Sequence, residues 1–500
     1  MKRWPRSALL LAPGLVLFLL TLLWPIAALS ARSFSAGTTP EAVHLVEVRL
    51  WLLFGKSLLL SLIAAASAIM LAIPAVFVVG RLGRLSAAPA LGGMLLAPLL
   101  LPPMVYAFGW QRAGLDAWPP VVGVVWVWTC WCWPIPAMLI GAAWAKSGRA
   151  AYEAALLVTS PLRAFVGAVL PTLARPVLVA AAILMVLFTG EYSVPHAWGV
   201  PVLATELLGW AAQSANPADV LWPAMPLIAF TWPALGLVVW LGKRHLLAPP
   251  EETDAPPPIQ PRFAVIVPAL LALTVAVPLG NLIVRIGGWH LMDDALAVYR
   301  RELFASLGTA VLAGVIAVLM GLSLNISLRV RRVAMPVALL VGVLPGALIG
   351  QAVLTAYQPV WFIYNYWPLM LIGYVARYAW IGLLAAWLVE SLSGHHIVDQ
   401  ARTDGANEPQ IWLRLRYAPN IALLLCAAGV VTGMALSDVA VGTLLVVPGI
   451  GPISAILLEK FHRLEDGMLV ALSLWMVVAA LPAAVLAWLT LRLQSRGVSH

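Results

Sequence analysis

Three charged residues stand inside long apolar runs, where a charged side chain is costly unless protein or water surrounds it. Glu191 lies in TGEYSVP, Asp438 in LSDVAVG and Arg377 in GYVARYAWIGLL. All three are candidates for the path of a transported solute. The two acids would attract a cationic or metal-bound solute, because a low-dielectric setting strengthens the attraction. The alternative is that the two acids cap helix ends or pair with Lys460 or Arg463, and the residues leave both roles open.

Other short motifs do not meet the requirements of their chemistry. FGKS at 54–57 ends like a phosphate-binding loop, but the first glycine of that pattern would fall at Leu50, and an apolar run follows. Cys130 and Cys132 are two residues apart on a helix and face different sides, which makes them poor joint metal ligands. His395-His396 is interpreted as a solvated pair. The sequence predicts no enzyme site, no metal site and no cofactor.

Composition assigns the chain to the membrane. Of its 500 residues, 62% are hydrophobic and 10% are charged, against roughly 25% charged in an ordinary soluble domain. The tryptophans at 126, 128, 131 and 133 are typical of an interfacial belt or a lipid-facing surface. The sequence therefore predicts an all-α polytopic membrane protein. Its spans, about twelve in number, are expected near 8–30, 57–80, 88–109, 120–145, 176–195, 221–242, 263–285, 303–328, 333–357, 364–390, 419–440 and 467–491.

The basic residues predict the orientation of these spans. The first span has a basic start like a signal peptide, but its apolar core exceeds the roughly 7–15 residues usual there, so we expect a retained anchor. With the N-terminus in the cytoplasm, roughly 20 of the 30 basic residues fall in inner loops. The net charge of +9 is thus attributed to topology, and no nucleic-acid partner is expected. Both termini are expected in the cytoplasm.

The chain divides once, at the proline-rich segment 248–261, whose composition suits an extended cytoplasmic linker. The halves 1–247 and 262–500 each hold about six spans. Positions in the two halves correspond at offsets of 242 to 248 residues, which indicates a tandem repeat. Because about six spans precede the second copy, the repeat is parallel, with a pseudo-twofold axis along the membrane normal. The corresponding positions are Pro103 and Pro345, Pro171 and Pro419, and Glu191 and Asp438.

Two polar loops also correspond, and they resemble the coupling loops of ABC importer permeases. The family pattern is Glu-Ala-Ala, a glycine a few residues later, and Leu-Pro before the next span. The first loop departs from it at Thr159-Ser160, where Gly-Ala would stand, and is one residue short. The second keeps the glycine but has Asp399-Gln400-Ala401 in place of Glu-Ala-Ala and Ala418-Pro419 in place of Leu-Pro. The matching positions are Glu153, Ala154, Ala155, Thr159 and Pro171 in the first loop, and Asp399, Gln400, Ala401, Gly405 and Pro419 in the second.

Each loop is expected to form a short helix across the cytoplasmic face. Glu153, near the start of the first, would face the helix N-terminal dipole, and the small alanines after it would admit a partner closely. Gly405 would supply a bend with positive φ. Pro171 and Pro419 would end the loops and begin the next spans.

The resemblance implies a type I ABC importer fold and the role of transmembrane permease subunit. It implies two ATP-binding subunits on the cytoplasmic face, a periplasmic or lipid-anchored substrate-binding protein, and a bacterial inner membrane. The chain looks most like fused permeases for ferric iron, thiamine or phosphonates. The alternative is a secondary transporter with two six-helix halves, for which Glu191, Asp438 and Asp294 come nearest to buried coupling acids. It would not explain the paired loops, and a membrane enzyme is a more distant reading.

Overall fold

All regular structure of the described residues is helical in the computed structural model, apart from an isolated bridge between Val447 and Ile450. The linker expected at 248–261 lies outside the described part of the chain. The structure describes residues 6–36, 40–79, 88–147, 149–214, 216–242, 265–392, 395–407, 410–463 and 465–497.

Helices of the first half alternate long apolar segments with short ones. Two five-residue π-helical turns, Leu19–Leu23 and Phe165–Val169, join consecutive helices. The helices are α1 Arg6–Phe18, α2 Trp24–Ala36, α3 Pro40–Val79, α4 Ala88–Leu100, α5 Pro103–Arg112, α6 Pro120–Cys132, α7 Pro134–Ser147, α8 Arg149–Leu156, α9 Pro161–Ala164, α10 Leu170–Thr189, α11 Ser193–Ala197, α12 Leu203–Gln213 and α13 Ala218–Gly242.

Helices of the second half follow the same order. Here the π-helical turns are Ala272–Ala276 and Ile411–Tyr417, and a 3-10 turn, Ala418–Asn420, follows the latter. The helices are α14 Ile266–Leu271, α15 Val277–Val284, α16 His290–Asn325, α17 Leu328–Gly342, α18 Gly346–Tyr357, α19 Trp361–Tyr364, α20 Pro368–Leu392, α21 His395–Thr403, α22 Ile421–Leu436, α23 Val439–Leu444, α24 Ile453–His462 and α25 Asp466–Gly497.

Eight helices of the described residues are long and apolar enough to cross a membrane, or up to 11 if each bent pair is one span. A multi-pass membrane protein is therefore confirmed, whereas three ranges expected as single spans are bent. The bends are 93° between α4 and α5, 44° between α6 and α7, and 111° between α17 and α18. The last expected span begins with a shorter apolar stretch, Asp466–Pro482.

Prolines account for the bends. Pro102 and Pro345 lie at the two sharp breaks with ψ of 126° and 140°, in extended rather than helical backbone. Pro134 is the first residue of α7 and lies at the third bend. A proline lacks the N–H that a continuing helix needs, and it pushes the residue before it away from helical backbone. The two sharp breaks fall at corresponding places of the two halves.

Contacts between elements recur in both halves about 250 residues apart. Ser57 Oγ accepts the N–H of Leu203, the first residue of α12, at 3.0 Å. Ser306 Oγ accepts the N–H of Ile453, the first residue of α24, at 2.9 Å. In each half, therefore, a serine of a long helix satisfies a donor at the open end of a short one.

The first helix of each half packs against the other half. Tyr357 of the second half donates its hydroxyl to Leu20 O at 2.7 Å. In return Tyr106 of the first half donates to Thr274 O, and Trp133 Nε1 donates to Thr274 Oγ1 at 3.2 Å. One continuous buried core draws side chains from both halves. The halves are thus interleaved rather than placed side by side.

Candidate functional sites

The first loop forms the short helix α8 and a turn. Glu153 is exposed and is the fifth residue of α8, because the helix begins at Arg149. The expectation that its carboxylate would face the helix N-terminal dipole is therefore wrong. Ala154 is exposed and Ala155 is half-buried. One side of α8 thus contacts the bundle and the other faces outward.

The tip of the first loop is apolar and exposed. Leu157 and Val158 are 87% and 86% exposed. Thr159 is half-buried, and its N–H donates to Ala155 O at 3.0 Å, which closes the turn before Pro161 starts α9. Two large apolar side chains on a fixed turn are a surface that a partner could bury.

The second loop has the same arrangement as the first, a short helix followed by a turn, with a sharper bend in the backbone. Asp399, again the fifth residue of its helix, and Gln400 are exposed, and Ala401 is half-buried. Gly405 has φ of 85°, as expected for the bend. The following Ala406 N–H donates to Ala401 O at 2.9 Å, which is the Schellman ending of a helix.

The two loop prolines do not end the loops as expected. Helical backbone runs through both: Pro171 lies in the first turn of α10, directly after the π-helical turn Phe165–Val169, and Pro419 lies in the 3-10 turn before α22. The membrane-length helices accordingly begin earlier, at Val166 and Ile411. A proline is tolerated in a first helical turn because the missing N–H would be unsatisfied there in any case.

Apolar packing attaches the first loop to the bundle. Val169 and Leu173, which follow α9, pack with Val76 of α3 and Ile140 of α7. Tyr152 of α8 lies against the same cluster. A displacement of α8 would therefore act directly on two membrane-length helices.

Charges attach the second loop. Arg416, 8% exposed, lies 4.0 Å over the ring of Trp412 and 3.7 Å from the carboxylate of Glu390 at the end of α20. Arg331 of α17 forms a closer ion pair with the same Glu390. Sequence reasoning missed this cluster. The sequence feature that could have indicated this cluster is the acidic residue in LVESL, at the end of an apolar run.

Glu191 lies two residues after the end of α10 and is 9% exposed. Its carboxylate accepts the N–H groups of Ser193 at 2.5 Å and Val194 at 3.0 Å, the first two residues of α11. Trp128 Nε1 donates to it as well, at 3.1 Å. Three hydrogen bonds satisfy this buried acid, and two of them hold the start of α11.

Asp438 takes the corresponding place in the second half and is 7% exposed. It caps α23 by accepting the N–H of Val441 at 3.0 Å, and Tyr378 OH donates to it at 2.7 Å. Arg377 Nε lies 2.8 Å from the same carboxylate, and its Nη1 donates to Leu344 O, next to the sharp bend, at 3.1 Å. Arg377 therefore joins α20 to the bend and to the cap of α23.

Both acids thus have an aromatic donor at corresponding positions, Trp128 and Tyr378. The arginine belongs to the second half alone, since Val127 stands where the first would have it. Lys460 and Arg463, considered above as partners of the acids, pair instead with Glu465 at 2.6 Å and Glu459 at 2.8 Å. Asp294, the third candidate for a coupling acid, is exposed.

The two halves also meet at the far end of α10, about 30 Å from the first loop at a rise of 1.5 Å per residue. Phe108 of α5 stacks on Phe461 of α24 with ring centroids 5.1 Å apart. His196 Nε2 of α11 lies 3.1 Å from His462 Nε2. Burial, together with the neighbouring His462 ring, lowers the pKa of His196 to about 4, so the ring is neutral at physiological pH.

The remaining residues singled out in the sequence are the two cysteines of α6 and the His395-His396 pair. Cys130 and Cys132 are buried free thiols in the core. The side chains of His395 and His396 lie outside the described part of the structure.

No protein-family model, curated protein or solved structure matches this chain.

Proposed function

We propose that this chain is the transmembrane permease subunit of an ATP-driven ABC importer, with both halves of the permease fused in one polypeptide. The observation that carries the proposal is the pair of loop helices, α8 and α21. They take equivalent places in the repeat, and each leads into a membrane-length helix. Each has exposed residues on one side and contacts the bundle with the other.

Exposed apolar residues support the presence of a partner at the first loop. Leu157 and Val158 extend from a turn of fixed geometry, where a solvated loop would place polar residues. Burying such side chains is worth about 1.5–3 kcal/mol each when water is excluded completely. Two ATP-binding subunits on the cytoplasmic face, one at each loop, are the partners that fit a chain with two equivalent loops.

Movement of the ATP-binding subunits would reach the bundle by two different routes. The first loop would transmit it through the apolar contacts of Val169 and Leu173. The second would transmit it through Glu390, which Arg331 and Arg416 share. Packed and ion-paired contacts both resist sliding, so that a loop and its helices move together.

A substrate-binding protein, periplasmic or lipid-anchored, would deliver a small solute at the opposite end of the bundle, in a bacterial inner membrane with both termini in the cytoplasm. Iron(III), thiamine or a phosphonate-like solute is the class that the resemblance favours. Glu191 and Asp438 are buried and hydrogen-bonded in this conformation. Asp438 would therefore contact the solute only after it separates from Arg377, and Glu191 only after it releases its own hydrogen-bond donors. The Arg377–Asp438 pair would then act as a gate at the bend of α17 and α18.

Site-directed crosslinking tests the proposal. Single cysteines replace Val158 and Thr403, one at each loop, in a Cys426→Ala background that leaves the buried Cys130 and Cys132 in place. Each cysteine is first labelled with a benzophenone maleimide, and photocrosslinking in native membranes should then capture the same ATP-binding subunit from both positions. A cysteine at Val446, an exposed residue after α23, is the matched control and should capture no such subunit. Capture from neither loop would contradict the proposal.

The secondary-transporter reading predicts a different energy source. Reconstituted with its captured ATP-binding subunit and the cognate binding protein, an importer should take up solute only with ATP and should be blocked by vanadate. Uptake that needs no ATP and stops when a protonophore collapses the ion gradient would favour the secondary transporter. The solutes for this assay are a ferric chelate, thiamine and a phosphonate.

A further inference from the structure

His196 and His462 come from different halves of the chain and meet edge to edge. Their Nε2 atoms are 3.1 Å apart, and the ring centroids are 5.1 Å apart with the planes at 88°. Both rings present Nε2, the atom with which an imidazole binds a metal, to the same small space. The contact lies outside the acid sites and the two loops.

The distance suits two ligands of one ion. Zinc–nitrogen bonds are about 2.0–2.1 Å long, so two nitrogens bound to one ion at angles between 90° and the tetrahedral value lie about 2.9–3.4 Å apart. The observed 3.1 Å falls in this interval. The spacing of the two nitrogens therefore already matches that of two ligands of one ion.

Neighbouring side chains hold the His196 ring in place. Tyr192 stacks on His196 with centroids 4.8 Å apart, and Phe461 lies edge-on to it at 6.1 Å. His462 is the last residue of α24 and remains exposed. Water can thus reach the pair and fill the other coordination positions. Among the described residues, no third His, Cys, Asp or Glu joins the pair as a ligand.

We propose that His196 and His462 form a binding site for a first-row divalent transition-metal ion, with Zn²⁺ as the representative, that bridges the two halves. Borderline metals of this kind prefer imidazole ligands. An ion bound by both residues joins α11 to α24. Because it binds the joined halves more tightly than separated ones, it stabilises their contact by linkage. The site does not depend on the proposed importer function.

Zinc titration of the full chain in lipid nanodiscs tests the site. All variants carry His395→Ala and His396→Ala, which removes the other histidine pair of the sequence. In this background we expect one Zn²⁺ per chain and an affinity that falls more than about tenfold in both His196→Gln and His462→Gln, since even outer-shell changes at metal sites reach tenfold. His290→Gln, at an exposed position on α16, is the control and should leave the affinity unchanged.

Two further readouts make the result independent of folding defects in the variants. Zn²⁺ should raise the thermal unfolding temperature of the parent and not that of either variant. Co²⁺ bound to the parent should give a visible d–d absorption band that Zn²⁺ displaces. Unchanged zinc affinity in either variant, or loss in only one of them, would refute a site shared between the halves and leave the contact as a hydrogen bond between two rings.

Discussion

Arg377 carries a positive charge in a buried setting, and its carboxylate partner is still more deeply enclosed. The side chains of Arg377 and Asp438 are 18% and 4% exposed. Removing one member of a buried ion pair leaves the other charge uncompensated. The resulting loss of stability is typically larger than the net stabilisation that the intact pair provides.

We therefore predict that Asp438→Asn destabilises the folded chain by about 3–5 kcal/mol. The double variant Arg377→Met with Asp438→Asn should recover part of this loss, because it removes the uncompensated charge. Thermal unfolding in one fixed detergent measures both. The control is Glu459→Gln, which breaks the exposed pair with Arg463 and should change stability by less than about 1 kcal/mol. A double variant no more stable than Asp438→Asn would contradict the pairing.

Glu191 differs from Asp438 because the three groups that donate hydrogen bonds to it, the N–H groups of Ser193 and Val194 and Trp128 Nε1, are all neutral. Ser193 N–H donates to Oε1 of Glu191, whereas Val194 N–H and Trp128 Nε1 donate to Oε2. Glu191→Gln keeps one oxygen acceptor and replaces the other with an NH2 group, so we predict a loss of about 1 kcal/mol. Glu191→Leu leaves those buried donors without an acceptor and should lose about 1–3 kcal/mol. Thermal unfolding separates the two. Equal losses would mean that the charge, and not the hydrogen bonds, holds α11.

At the scale of elements, the second loop helix depends on one backbone angle. Gly405 has φ of 85°, a conformation that a β-branched residue adopts only with strain. A Cβ there would meet nothing within 4 Å, so the strain comes from the backbone and not from crowding. The angle, rather than the volume of the site, decides what the position tolerates.

We predict that Gly405→Val, alone or together with Ala154→Asp, leaves membrane insertion intact and uncouples ATP hydrolysis from transport. The misdirected turn would no longer fit its partner. ATPase activity of the reconstituted complex, measured with and without solute-loaded binding protein, reports the coupling. Gly308→Val is the matched control. Gly308 is an exposed helical glycine with equal space around it and no positive φ. Normal coupling in Gly405→Val with Ala154→Asp would refute the role assigned to the loops.

At the scale of the whole molecule, the exchanged first helices bind the halves together independently of the linker. Tyr357 reaches Leu20, and Tyr106 reaches Thr274. We predict that a gene cut within 248–261 yields two halves that co-purify when they are expressed together. Removing residues 1–36 from the first half should weaken recovery, because it deletes the helices that pack on the second. Failure of the intact halves to associate would show that the linker does more than connect.

Hydropathy alone predicted the helical class, the membrane location and the approximate place of each long helix. It did so because a bilayer demands apolar runs of fixed length. Periodic correspondence between halves also located the two loops and the acids Glu191 and Asp438. These features depend on local composition or on repetition between the halves, and both can be recognised from the order of residues along the chain.

Tertiary structure decided what those residues touch. The tryptophans expected at a lipid or interfacial surface lie partly in the core, with Trp128 and Trp133 1% and 0% exposed, because α6 is surrounded by protein. Arg377 meets Asp438, and Arg416 meets Glu390, across sequence separations that no local pattern encodes. The same holds for the helices exchanged between the halves and for the meeting of His196 with His462. A partner's identity depends on how helices pack, and packing is set by the shapes of distant surfaces rather than by the order of residues within one helix.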